Sequence, residues 1–256
     1  MQDLFSLKDY CIIVTGANRG LGKEMVIALA DEGANVVLTC RDLEEVGSFV
    51  KDLKKKNVEV LPVKMDVRNK EEIDSMVERV VNKFGRIDVL INNAAICKVV
   101  EAEKMLFKDW AETIDINLNG VFLISQAVGK FMIEKKQGSI INISSISGFV
   151  VTGPQTVAAY CVSKAGVIML TKCLAFEWAK YNIKVNSIAP GYTTEGMAKP
   201  IVSKCGDIVD KWLSLIPMGR FGHPSELIGI LIYLASKASS YTTGETFLID
   251  GGYTVR

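Results

Sequence analysis

Tyr160 and Lys164, four residues apart in Tyr160-Cys161-Val162-Ser163-Lys164, are the pair in this chain best suited to moving a proton. They open a stretch of helical period, on which positions i and i+4 share a face. A free phenol titrates near ~10, too high for an efficient base at neutral pH. A neighbouring cation favours the phenolate, most strongly where water is excluded, so the spacing predicts that Lys164 activates Tyr160. Taken alone, the spacing also fits a solvated surface pair. Its place lends it weight, because it follows a run of strand length at 139 to 144 and then Ser145. The single histidine, His223, stands before Pro224 in a loop-like segment and reads as a structural residue beside a helix start. A histidine-based metal cluster is therefore excluded, no metal is expected, and acid/base work falls to other residue types.

A second chemistry-bearing segment is Thr15-Gly16-Ala17-Asn18-Arg19-Gly20-Leu21-Gly22, which follows Cys11-Ile12-Ile13-Val14 and leads into a helical-looking stretch. Glycines let a backbone approach a pyrophosphate without a Cβ in the way. A helix start adds unpaired N–H groups and a partial positive charge. The loop thus points to a dinucleotide. Its spacing is G-x-x-x-G-x-G, and glycine triplets also arise by chance in ordinary turns, which is the rival reading.

Such residues converge only if the elements carrying them do. Apolar runs of strand length fall at 11–15, 35–39, 58–63, 87–91, 139–144, 183–188 and 246–250. Between them lie stretches of helical period at 21–32, 42–55, 70–84, 103–115, 118–136, 158–181 and 224–236. Near-continuous apolar strands imply burial on both faces. The alternation predicts one α/β domain over 1–256, a Rossmann-type doubly wound sheet of about seven parallel strands flanked by helices. Ligands of such sheets bind beyond the carboxyl ends of the strands. The glycine loop, Asn92-Asn93-Ala94-Ala95, Ser144-Ser145 and Pro190-Gly191 all follow strands there. Between 192 and 221 glycines and prolines interrupt the pattern, which suggests a substrate lid or a surface excursion used in subunit packing.

Composition narrows the classes. With 30 basic and 29 acidic residues and a net charge of +1, the chain has no electrostatic footprint for nucleic acid or an anionic membrane. Its purely apolar stretches are short for a membrane span, and the N-terminal residues lack a secretion-signal pattern. Cys11, Cys40, Cys97, Cys161, Cys173 and Cys205 show no C-x-x-C pair and suit a reducing cytoplasm.

These motifs together resemble the short-chain dehydrogenase/reductase family over essentially the whole chain. The matching pieces are TGANRGLG at Thr15, Asp66-Val67, NNAA at Asn92, Asn117, Ser145, Tyr160 with Lys164, Pro190-Gly191 and Asp250-Gly251-Gly252. The resemblance implies hydride transfer between a nicotinamide and a secondary alcohol or ketone. Tyr160 would be the general acid/base, Ser145 a donor to the reacting oxygen, and Lys164 a holder of the nicotinamide ribose. Asn117 would anchor a water linking Lys164 to solvent. The pattern N-I-x-S-x-x-G selects Ser145, whereas counting back from Tyr160 selects Ser147, a residue kept as a substrate contact.

For the cofactor, Gly16, Asn18, Arg19, Gly20, Leu21 and Gly22 would hold the pyrophosphate end. Asp66 and Val67 would reach the adenine, with Asn93, Ala94, Pro190 and Gly191 nearer the nicotinamide. Thr194 would substitute for a threonine whose usual place is taken by Glu195. At the end of the second strand stands Cys40 where an acid usually meets the ribose, followed by Arg41. Arg19 and Arg41 could meet a 2'-phosphate, so NADP(H) is favoured, with NAD(H) possible and Asp42 as the competing acid.

The segment WLSLIPMGRFGHPSEL and the DGGYTVR end resemble those of polyol and sugar-acid dehydrogenases such as galactitol and gluconate 5-dehydrogenases. The same catalytic set serves reductases of acyl carrier protein thioesters, the alternative. A noncatalytic dinucleotide sensor is a remote one. Ile96, Phe149, Val150, Gln155, Tyr192 and Trp212 are pocket candidates or packing beneath the lid. The resemblance also implies a homotetramer, with the Tyr160 helix and the 224–236 helix in its interfaces.

Overall fold

The computed structural model describes residues 2–196 and 206–255. Seven strands, β1 (Cys11–Thr15), β2 (Asn35–Cys40), β3 (Val60–Lys64), β4 (Val89–Asn92), β5 (Gly138–Ile143), β6 (Ile183–Pro190) and β7 (Thr246–Ile249), form one sheet. Their order is β3-β2-β1-β4-β5-β6-β7 and every neighbouring pair is parallel. The α/β class and the doubly wound arrangement are as the sequence implies. The order reverses between β1 and β4, opening a crevice at their carboxyl ends.

Alternate residues of the same strands feed two cores. Ile12, Val14, Val36, Leu38, Val89 and Ile91 face one layer of helices, while Cys11, Ile13, Val37 and Leu90 face the other. Both faces being dry, the strands show runs of apolar residues where a one-sided sheet would alternate. Among the described residues the α-helices are α1 (Gln2–Phe5), α2 (Gly20–Asp31), α3 (Gly47–Lys54), α4 (Lys70–Phe84), α5 (Phe107–Ile114), α6 (Gly120–Lys135), α7 (Ala158–Trp178), α8 (Asp207–Ser214) and α9 (Ile228–Ala235).

Where the sequence suggests separate helices over 103–115 and 118–136, α5 and α6 join through a π turn, Asp115–Asn119. The wider turn inserts slack into an otherwise continuous helix and re-aims the residues on it, Asn117 among them. The joined run Phe107–Lys135 and the run Ala158–Tyr181 are long and apolar enough, by length and composition alone, to cross a membrane. Here they lie against the sheet, with 50% and 44% of their most apolar windows buried.

Candidate functional site

The glycine loop is held from below by the end of β4. Thr15 Oγ1 accepts hydrogen bonds from the backbone amides of Asn93 (2.9 Å) and Ala94 (3.1 Å). Asn93 Nδ2 donates to the carbonyls of Thr15 (2.9 Å) and Gly16 (3.0 Å). Asn93 therefore spends its amide nitrogen on shaping the loop. The latching role of Thr15 escaped the sequence reading, although a buried hydroxyl on the last residue of a strand is a visible hint.

At its glycines the loop has no room for a Cβ. Gly16 has φ +62°, and a Cβ there would lie 2.8 Å from Ala94 Cα. A Cβ on Gly22 would meet the Gly16 carbonyl and come within 2.5 Å of Asn93 Nδ2. Arg19 is extended (φ −156°, ψ 172°) as the residue before α2, so the first-turn N–H groups of that helix open above the loop. The segment after β6 passes over the same place, because a Cβ on Gly20 would lie 3.0 Å from Gly196 Cα.

Two orphan groups test whether a dinucleotide fits this cradle. Thr194 Oγ1 is buried without a hydrogen-bond partner, whereas Thr193 Oγ1 donates to the Glu195 carbonyl (2.8 Å). Thr39 Oγ1, one residue before the end of β2, is likewise unpartnered. Buried hydroxyls normally find partners, so a loop floored by glycines with two unpartnered threonine hydroxyls near it suits a polar ligand. At the adenine end, Asp66 pairs bidentately with Arg68 (3.0 and 2.6 Å), and that guanidinium keeps its carboxyl below the usual range. Arg19 and Arg41 are both exposed.

Across the crevice, β5 delivers Ser145 and α7 delivers Tyr160 and Lys164. Ser145 Oγ accepts from the Ser147 amide (3.1 Å) and hydrogen-bonds to the Tyr160 phenol. The Ser147 hydroxyl instead pairs with Thr152 Oγ1 (2.9 Å), both groups buried. Geometry thus brings Ser145, and not Ser147, to the phenol. Lys164, 2% exposed, lies with Nζ 5.7 Å from the Tyr160 ring centroid and donates to the Ile143 carbonyl (2.7 Å). Asn117 is clasped by Ile96, accepting from its amide and donating to its carbonyl (both 2.8 Å), and also donates to Ser163 Oγ (3.0 Å). Ser163 Oγ in turn donates to the Tyr160 carbonyl (2.7 Å). Ser163 went unnoticed in the sequence, where nothing ties it to a partner 46 residues away.

The electrostatics correct one expectation. Burial raises the Tyr160 pKa, with the Ser145 hydrogen bond opposing and the Cys97 and Cys161 thiols adding to the rise. Burial also pushes Lys164 down to about 8, partly offset by Cys97. A dry site disfavours the charged form of both groups. In the protein by itself burial favours the neutral phenol of Tyr160.

The pocket candidates need revision as well. Trp212 is 2% exposed and stacks on Tyr192 with ring centroids 4.6 Å apart. Gln155 joins them, accepting from Trp212 Nε1 (2.8 Å) and donating to the Tyr192 hydroxyl (2.7 Å). Burial drives the Tyr192 phenol up to about 12. Trp212 from α8 thus interlocks with the half-buried Tyr192 and Gln155, their polar atoms satisfying one another, while Phe149 and Val150 remain exposed. His223 caps the turn Pro224–Leu227, its Nδ1 accepting from the Ser225 amide (3.3 Å) as Glu226 accepts from the His223 amide (2.7 Å). Cys205 and positions 197–205 of the expected lid lie outside the described residues.

Known proteins bear the same stamp. The family described as Enoyl-(Acyl carrier protein) reductase matches residues 16–254. The chain is 41% identical over 243 residues to a 3-oxoacyl-(acyl carrier protein) reductase of Thermotoga maritima, covering 95% of this chain and 97% of that protein. It is 37% identical over 256 residues to the 5-keto-D-gluconate 5-reductase of Escherichia coli K12, covering 100% and 99%. Among solved structures, a gluconate 5-dehydrogenase from Burkholderia cenocepacia in complex with NADP and tartrate superposes with a TM-score of 0.92, at 32% identity over 99% of this chain and 98% of that one.

Proposed function

Since this chain belongs to the short-chain dehydrogenase/reductase family, we propose that it interconverts a secondary alcohol and a ketone on a small polyol, sugar or sugar acid, with NADP(H) favoured over NAD(H). The observation that carries the reading is the convergence of Ser145, Tyr160, Lys164 and Asn117 beside a glycine cradle at the sheet's switch point. The bound nicotinamide supplies or accepts the hydride.

Every other task falls to the chain's own residues. Gly16, Asn18, Gly20, Leu21 and Gly22 admit the pyrophosphate to the start of α2. Arg19 and Arg41 face the 2'-phosphate, Asp66 and Val67 the adenine, and Asn93 and Ala94 support the floor. Pro190, Gly191 and Thr194 line the nicotinamide side, with the Thr194 hydroxyl free for the carboxamide. Tyr160 and Lys164 bind the adjoining ribose. Ser145 donates to the substrate oxygen, and Tyr160, kept neutral by burial, protonates it in reduction. In oxidation Tyr160 must first lose its own proton; the phenolate then accepts the alcohol's proton, which passes by Lys164 to solvent through a water that Asn117 anchors.

The sugar-acid reading draws support from the activities named for the Escherichia coli and Burkholderia proteins. The Thermotoga relative favours the second reading, reduction of an acyl carrier protein thioester. NADPH oxidation assayed against keto-gluconates, hexuloses and acetoacetyl thioesters separates them. The expected result is a higher kcat/KM on the keto-sugar acids, and a thioester preference overturns the substrate assignment. Tyr160→Phe should lower turnover by more than ~100-fold with cofactor binding kept; near-normal turnover removes Tyr160 from its role.

Residues 192–221 serve as the substrate lid, its base closed by the Thr193–Gly222 bridge and its far limb anchored through Trp212. A homotetramer accounts for the apolar side chains that α7 leaves exposed, Val162, Met169 and Phe176, each seven residues from the next. Light scattering tests it. The five described cysteines, all free, agree with a cytoplasmic setting.

A further inference from the structure

The loop after β2 carries a carboxylate that the two arginines do not account for. Glu45, in the short turn Glu44–Val46, accepts a hydrogen bond from Asn18 Nδ2 in the glycine loop. Its side chain therefore spans the gap between the glycine loop and the end of β2. That gap is where a doubly wound sheet reads the adenosine ribose of a dinucleotide. The glycine loop is pinned there too, since the Ala17 amide donates to the Thr39 carbonyl (3.1 Å).

Asp42, the acid nearest in sequence to the ribose position, is otherwise engaged. One of its carboxylate oxygens accepts from the Glu44 amide (2.9 Å), and its carbonyl accepts from the Cys40 thiol (3.0 Å). Asp42 thus builds the turn that presents Glu45. The Arg41 charge acts on Asp66, on the β3 side, whereas the Glu45 carboxylate helps push up the pKa of the Cys40 thiol at the strand end. The ribose gap accordingly has a cation on one wall and an anion on the other.

We propose that Glu45 is a specificity-determining residue that opposes Arg19 and Arg41, restraining the preference for a 2'-phosphate and keeping NAD(H) usable. A 2'-hydroxyl can donate to the Glu45 carboxylate, while a 2'-phosphate meets it as a like charge. This rests on the dinucleotide reading of the cradle.

The test compares wild type with Glu45→Gln, which keeps an oxygen for Asn18 and removes only the charge, and with Glu44→Gln, which removes a charge one residue away. Calorimetric titration with adenosine 2',5'-bisphosphate and with AMP reads the adenosine half without turnover. Glu45→Gln should tighten the bisphosphate by roughly three- to tenfold, as expected for one screened charge at short range, with AMP unchanged or weaker. The kcat/KM ratio of NADPH to NADH should move the same way, and Glu44→Gln should shift both far less. A bisphosphate-to-AMP ratio that stays within about twofold of wild type in Glu45→Gln, or an equal shift in Glu44→Gln, overturns the role of Glu45 alone. Failure of the wild type to bind either nucleotide overturns the dinucleotide reading, and this inference with it.

Discussion

Replacing Lys164 by Met tests the claim that the site is dry. The folded protein lowers the Lys164 pKa from 10.5 to about 8, because its ammonium has left water for a place only 2% exposed. That interval corresponds to about 3 kcal/mol of preference for the neutral amine in the folded state. Below pH 8 both folded and unfolded chains hold the proton, and the full penalty opposes folding. Between the two pKa values the folded state releases it while the unfolded chain keeps it. The unfolded state then binds more protons, so stability rises with pH. The bond to the Ile143 carbonyl is available to the amine in either form, and its loss in the Met variant is a constant offset. Urea unfolding of both proteins from pH 7 to 10.5 should show the wild type gaining about 2–3 kcal/mol on the variant, with the titrations of groups not coupled to Lys164 cancelling. A difference that stays flat across that range, or one that moves against the wild type, refutes the reasoning.

Ser145→Ala should lower turnover by more than ~100-fold, because it removes the hydroxyl that touches the Tyr160 phenol, whereas Ser147→Ala, which breaks only the pair with Thr152, should keep most of it. Steady-state kinetics of the two variants side by side check this, and equal losses speak against the choice of serine. Gly22→Ala should weaken NADPH binding by at least ~10-fold in a fluorescence titration while far-UV circular dichroism stays native, since the new Cβ would lie 2.5 Å from Asn93 Nδ2. With Tyr160 held above the ordinary phenol range by burial, alcohol oxidation should climb with pH through the alkaline range and ketone reduction should not; pH profiles of kcat/KM in both directions read the sign. Gln155→Leu leaves the Trp212 indole N–H without its acceptor and should cost about 1–3 kcal/mol of stability by urea denaturation.

Much of this protein is written locally. The strands are legible because each is buried on both faces, and Ile12, Val14, Cys11 and Ile13 had to be apolar whichever core they entered. The glycine loop is legible because Gly16 and Gly22 stand where the backbone leaves no room for a Cβ. Tyr160 and Lys164 share a helix face by their spacing alone. Other features depend on partners far away in the chain. The π turn at Asp115–Asn119 has no local signal, for Asn117 is clasped by Ile96, 21 residues earlier. Ser145 and Ser147 look alike until Thr152 claims one of them. Trp212 reads as pocket or packing until Gln155, 57 residues away, closes on its indole. The balance of charge in the site was likewise out of reach: spacing alone puts a cation near a phenol, but how dry that neighbourhood is depends on the sheet and helices packed around it. Local sequence sets backbone preference and residue chemistry, whereas burial and hydrogen-bond partnership are properties of segments that meet only when the chain has folded.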